Sequence, residues 1–267
     1  MKAAAVVVVT VIAASPAANG ARFLAARELP SGGFAEAGGA AYPQLTAWAV
    51  LGLRAAGGRG SDETDRFLAA HERELTSATD VALVAMAERD PSRLLARLRG
   101  MQQPSGSIGR LVNGTAWGVI ALRAAGERPR AKTIRWLLAR QTRAGGWGWN
   151  GAPDSNDTAA VVQALRAVGV RGRPIRRALA FLLRYRNRDG GFELTHGRGS
   201  DAQSTAWAVQ AFVAAGKPPP RGALTYLRGL QRADGSFRYS RQYATTPVWV
   251  TAQVLPALAR KPFPLRR

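Results

Sequence analysis

Two short stretches gather carboxylates and amides just ahead of apolar runs: Asp154-Ser155-Asn156-Asp157 and Ser200-Asp201-Ala202-Gln203-Ser204. Two carboxyl groups about 5 to 10 Å apart in a cleft can hydrolyse a glycoside. Asp154, Asp157 and Asp201 are the candidates, and no motif selects a pair among them. The first stretch equally suits a helix N-cap, in which Asn156 or Asp157 accepts from the free N–H groups of a helix beginning at Thr158. Trp147 and Trp149 flank a glycine turn, while Trp117 and Trp207, like Trp48, sit two residues into apolar runs. Aromatics so placed either pack the repeat or line a cavity for an apolar ligand or a sugar. The candidate ligand-binding set is therefore Trp117, Trp147, Trp149, Asp154, Asn156, Asp157, Asp201, Gln203 and Trp207. His196, in Thr195-His196-Gly197, could act as a general base or a metal ligand, but a lone loop histidine is usually solvated surface. With no cysteine, and His71 and His196 the two histidines, neither a metal site nor a cofactor is expected.

The elements that must position these groups come from an internal repeat. Thr46-Ala47-Trp48-Ala49-Val50, Thr115-Ala116-Trp117-Gly118-Val119 and Thr205-Ala206-Trp207-Ala208-Val209 are copies of one phrase, and weaker copies start at Thr79, Thr158 and Thr251. Successive threonines lie 33 to 47 residues apart, the length of a helix pair with its connections. Each phrase opens a nearly all-apolar run, and a helix apolar all round must be buried. Amphipathic segments at 94–101, 134–141, 175–186 and 224–231 precede such runs and predict outer helices, wet on one side. A glycine turn closed by a bulky residue joins outer to inner helix at Phe34, Ile108, Trp147, Phe192 and Phe237, and the unit at 62–89 lacks it. The expected fold is all-α: an α/α toroid of about six helix pairs, with an inner and an outer ring.

Arg221-Gly222, Tyr226-Leu227, Gln231, Gly235 and Phe237 resemble the squalene cyclase repeat, as do Trp136-Leu137, Gln141, Gly145 and Trp147. A third copy, Arg177-Ala178, Phe181-Leu182, Gly190 and Phe192, has Arg186 where the others have Gln. The chain thus resembles the terpenoid cyclase and protein prenyltransferase superfamily over residues 21–260. That resemblance implies a toroid with a central cavity. Its class II cyclases carry D-x-D-D-T-A, and Asp154-Ser155-Asn156-Asp157-Thr158-Ala159 matches except that Asn156 stands at the position of the family's proton donor. A carboxamide has no proton of comparable acidity to give. The prenyltransferase branch implies Asp, Cys and His zinc ligands, and the thioester branch a Cys; both sets are missing. Asp157-Thr158-Ala159-Ala160 also matches inner-helix starts of the cobalamin carriers, without residues for their second domain. The expected function is a non-catalytic toroid that binds a ligand or partner at its cavity mouth. The alternative is a terpenoid cyclase-like or carbohydrate-active enzyme using the acidic loops.

The formal charge is +21, and 34 of the 38 basic residues are arginine. Such a surface attracts polyanions, including an anionic cell-envelope polymer. The arginines are spread over every repeat without a nucleic-acid motif, so no specific nucleic acid is expected. The N-terminus reads as a signal peptide over 1–18: Lys2, an apolar run over 3–14, then Ser15-Pro16-Ala17-Ala18 as the small-residue exit. The expected layout is that signal, a toroid over 19–260 and a tail over 261–267, soluble after export. Apolar, isoprenoid or glycan ligands fit this reading.

Overall fold

The computed structural model describes residues 15–265. The apolar run at 3–14 lies outside the described residues. Twelve α-helices are present among them, with isolated bridges and no β-strand.

The inner helices are α2 (Pro43–Ala55), α4 (Ala78–Ala87), α6 (Val112–Ala124), α8 (Ser155–Ala167), α10 (Ala202–Ala214) and α12 (Pro247–Leu258). Each packs on the next, and α12 packs on α2, so the ring is closed. The outer helices are α1 (Pro16–Ala25), α3 (Asp62–Ala70), α5 (Ser92–Gly100), α7 (Ala131–Ala139), α9 (Arg173–Leu183) and α11 (Ala223–Gly229). Helix α9 shows how the outer ring forms. It buries Ile175, Ala178, Leu179, Phe181 and Leu182 on one side and leaves its arginines toward water.

Neighbouring inner helices run parallel, as two sets of side-chain bonds show. At one end Thr79, Asn113 and Asp157 link the first turns of α4, α6 and α8. At the other, arginines in the last turns reach the carbonyls that end the next inner helix. Arg54 donates to Met86 and Ala87, Arg123 to Ala167 and Arg166 to Ala214. These guanidiniums satisfy carbonyls that have no partner within their own helix and complement the negative end of the dipole.

The repeat threonine has a definite task. In five units its buried Oγ1 accepts the backbone N–H of the bulky turn residue, at 2.8 to 3.1 Å: Phe34 to Thr46, Ile108 to Thr115, Trp147 to Thr158, Phe192 to Thr205 and Phe237 to Thr251. In two units the glutamine of the repeat ties its turn to the following outer helix. Gln141 Nε2 donates to the Gly145 and Pro174 carbonyls, and Gln231 Nε2 to those of Gly235 and Pro16.

That last bond closes the outer ring, because Pro16 opens α1, which packs on α12 and α2. The sequence boundary at residue 18 therefore falls inside a structural helix. Ser15 caps it through a bond from the Ala18 N–H, so a chain starting at Ala18 would lose both this cap and the acceptor of Gln231. The expected tail also differs: Phe263 and Leu265 are buried against the inner helices rather than trailing from the toroid.

Candidate functional site

The residues two places before the repeat threonines share one register at the start of the inner helices: Gln44, Ser77, Asn113, Asn156, Gln203 and Trp249. All but the exposed Ser77 are half-buried. This end of the toroid is a rim of amides, with the acidic groups of α8 beside them.

Asp154 is the N-cap of α8, and its Oδ1 accepts from the Asp157 N–H at 2.8 Å. Burial, then the neighbouring Asp157 charge, pushes its carboxyl up to about 6, against backbone N–H bonds that pull the other way. Asp157 accepts at 2.7 Å from Asn113 Nδ2, and Asn113 Oδ1 accepts at 2.9 Å from Thr79 Oγ1. Burial raises the Asp157 carboxyl too, and the Asn113 bond opposes it. Asn156 is half-buried between these two carboxylates, with its Oδ1 3.4 Å from Ser155 Oγ. Ser155 Oγ in turn donates to the Glu193 carbonyl at 2.8 Å.

The three sequence candidates for catalysis lie at the starts of two adjacent inner helices, α8 and α10. Asp154 and Asp157 are neighbours, whereas Asp201 caps α10 with both oxygens, accepting from Ser204 N at 2.7 Å and Ser204 Oγ at 2.8 Å. Gln203 stands half-buried on the rim one helix along. Of the tryptophans, Trp147 is fully buried in its turn, with Nε1 donating to the Leu137 carbonyl at 2.7 Å, so it anchors the repeat. Trp149 is 66% exposed on the loop that leads to Asp154.

Trp117 and Trp207 lie on the axis, in ring contact with Trp48 at 5.4 and 6.2 Å between centroids. Trp249 and Phe263 complete the group, each against Trp48 at 6.2 and 6.0 Å, with Phe263 also 5.4 Å from Trp117. Five aromatic rings thus fill the axial core. Buried polar atoms remain beside them: Trp117 Nε1, Gln210 Oε1 and Gln253 Nε2 have no hydrogen-bond partner. Trp207 Nε1 is satisfied by Gln253 Oε1 at 2.9 Å.

His196 is stacked on the buried Tyr185 at 4.3 Å, with Nδ1 3.4 Å from Glu193 Oε1. It belongs to a loop clamp, since Glu193 Oε2 also accepts from the Gly199 N–H. No cluster of three or more His, Asp or Glu side chains among the described residues is placed to hold a metal ion.

Asn113, Thr79, Trp249 and Phe263 were absent from the sequence candidates. Asn113 and Trp249 were detectable from their register two places before a repeat threonine. Thr79 had a subtler signal: its unit has no glycine turn, so no turn amide claims its hydroxyl. Phe263 gave none.

No protein-family model and no curated protein sequence matches this chain. Solved structures do. The type II terpene cyclase MstE from Scytonema, in complex with the product merosterolic acid A, is 17% identical with a TM-score of 0.66, over 92% of this chain and 95% of that one. Its complex with the substrate geranylgeranyl dihydroxybenzoate gives 16% and 0.65, over 92% and 96%. The ent-copalyl diphosphate synthase from Streptomyces platensis is 20% identical with a TM-score of 0.54, over 82% of this chain and 50% of that one. The closed inner ring, the shared repeat and these likenesses together give this chain the α/α-toroid fold of the terpenoid cyclases.

Proposed function

We propose that this protein is a terpenoid cyclase-like toroid that takes an apolar, isoprenoid-type ligand along its axis and does not cyclise it. The observation that carries this reading is the axial core. Five aromatic rings pack it, and among them Trp117 Nε1 on α6 and Gln253 Nε2 on α12, beside Trp207, have no partner. A hydrocarbon with one polar acceptor that displaced a ring from this core would meet indole faces and a free N–H of Trp117 or Gln253. The MstE complexes support the ligand class by analogy of fold. Absence of turnover rests on Asn156, together with the commitments of its neighbours: Asp154 caps α8 and Asp157 is held by Asn113.

The test is to incubate the purified chain with geranylgeraniol and with geranylgeranyl diphosphate, reading tryptophan fluorescence for binding and mass spectrometry for products. Quenching without product is the expected result. Asn156→Asp restores the full signature, and cyclic product from that variant alone would identify a site otherwise intact. A missing acid typically costs about 10²- to 10⁴-fold, so robust cyclisation by the parent would overturn the non-catalytic half of the proposal.

A second reading, a cyclase-like enzyme, is favoured by Asp154, whose carboxyl near 6 retains a proton in mildly acidic solution. Loss of any parental activity in Asp154→Asn, with the fold retained, would select it. Export remains a proposal resting on the 3–14 run, and an anionic envelope polymer would then be the natural surroundings for the +21 charge. A reporter fused after Gly20 and found in the cytoplasm would remove both.

A further inference from the structure

A cleft of about 530 Å³ opens between the loops at 197–201 and 239–243. It lies at the amide end of the toroid, since Asp201 on its wall caps α10, and none of the axial aromatic rings lines it. Tyr226 forms the floor, 4% exposed, with its hydroxyl donating to the Ser200 carbonyl at 2.6 Å. Tyr239 and Arg198 both line the cleft, and Tyr243 stands on the rim, 59% exposed.

Two charges of each sign line the cleft. Arg198 and Arg241 both line the cleft, and neither has an ion pair among the described residues. Arg241 lies 5.9 Å above the Tyr226 ring, an arrangement that leaves its donors for another group. The two lining carboxylates are already engaged. Asp201 accepts twice from Ser204, and Asp189 Oδ1 accepts from the Gly191 N–H and Ser200 Oγ. The wall at 239–243 is braced. Ser240 Oγ accepts from the Gln242 and Tyr243 N–H groups, and Arg238 donates to the Ser240 and Gln242 carbonyls.

We propose that this cleft binds an acidic sugar: a pyranose carrying a carboxylate or phosphate, with the oxyanion on Arg198 and Arg241. The forked guanidinium matches either oxyanion. Tyrosine faces pack the C–H side of a sugar ring, and the Ser240 hydroxyl and Gln242 amide are available for its hydroxyls. The volume suits one or two rings. This site is independent of the axial ligand, and either can fail without the other.

Titration of the full chain by calorimetry, with glucuronate, glucose 6-phosphate, glucose and inorganic phosphate, tests the assignment. Both acidic sugars are expected to bind at least tenfold tighter than glucose, and the tighter of the two identifies the oxyanion. Arg198→Met and Arg241→Met each weaken them by about tenfold, the scale of one lost charge-assisted bond. Arg130→Met, an exposed arginine elsewhere, leaves them unchanged. Tyr243→Ala weakens the sugars severalfold but not inorganic phosphate. Phosphate binding as tightly as glucose 6-phosphate, or Arg130→Met acting like the cleft variants, would reduce the site to general attraction by a basic surface. Tighter binding of adenosine monophosphate than of either sugar would overturn the sugar assignment.

Discussion

The glycine turns make a quantitative claim about how the repeats dock, and Gly235 isolates it. Gly235 has φ +89°, and a Cβ there would sit 2.6 Å from the Asn19 carbonyl oxygen and 3.0 Å from its carbon, on the first turn of α1. Gly169 ends α8 with nearly the same dihedral, φ +84°, but nothing lies within 4 Å of the added atom. Alanine at Gly169 therefore meets backbone strain alone, about 1 to 2 kcal/mol, offset by about 0.4 to 1 kcal/mol of lost unfolded-state freedom. The net cost should be about 1 kcal/mol or less. Gly235→Ala bears the same strain plus backbone overlap with α1. Relief requires moving α1 by several tenths of an ångström, which stretches the Gln231 bond to Pro16. Losing that bond adds about 1 kcal/mol, and disturbed packing of α1 on α12 brings the total to about 3 kcal/mol. Urea unfolding of both variants, followed by circular dichroism, measures the difference directly. Equal destabilisation of the two would show that the first and last repeats are not locked by this contact, and the closed outer ring would be wrong.

Two further outcomes follow from buried groups. Glu88 ends α4 with 4% exposure and no hydrogen-bond partner for either oxygen, and burial, then the charges of Glu72, Asp65 and Asp90, push its carboxyl up to about 8. A carboxyl raised from 4.5 in the unfolded chain binds its proton more tightly when folded. Stability from this group is thus full below pH 4.5 and declines as pH rises toward 8, by about 1.4 kcal/mol per unit. Glu88→Gln should flatten that decline and be the more stable protein at pH 8.5; parallel pH profiles of Tm would refute it. Asn113→Ala removes the donor to Asp157 and strands a half-buried carboxylate, so the variant should lose about 1 to 3 kcal/mol. Asp157→Asn in the same background should recover part of it, and strict additivity of the two changes would show that the groups do not interact.

The sequence revealed what is repeated and local. Thr46, Thr115, Thr158, Thr205 and Thr251 marked inner helices because each works within its own unit, bonding a turn amide 7 to 14 residues upstream. Gln141 and Gln231 were visible as motif letters, although their partners lay in the following unit. The missed features depend on contacts between distant segments. Ser15-Pro16-Ala17-Ala18 satisfies two rules at once: the small-residue exit of a signal and the N-cap with proline at the helix start. The bond from the Ala18 N–H to Ser15 Oγ shows the second, and Gln231, 215 residues away, fixes the helix start in the ring. The Ser204 bonds of Asp201 were not legible either, because capping and catalysis draw on the same residue types.

Phe263 decides between a solid core and a chamber that its own chain has filled. The ring is 3% exposed, touches Trp48 and Trp117, and its backbone N–H donates to Gln163 Oε1 at 2.9 Å. It arrives from outside the helix ring, on the segment after α12, whereas the tryptophans belong to the inner helices themselves. Phe263→Ala would cost about 3 to 5 kcal/mol as a cavity-forming change, lowering Tm by roughly 2 to 4 °C for each kcal/mol in a domain of this size. If the axis is a ligand chamber, the vacated volume is lined by indole rings and takes a hydrocarbon. Geranylgeraniol should then raise the Tm of Phe263→Ala by more than that of the parent, since a ligand that binds only the folded state stabilises it in proportion to its occupancy. Tryptophan quenching should strengthen in the same variant. An equal shift in both proteins would mean that the ligand sits elsewhere, and no shift in either would mean that the aromatic axis is simply the core.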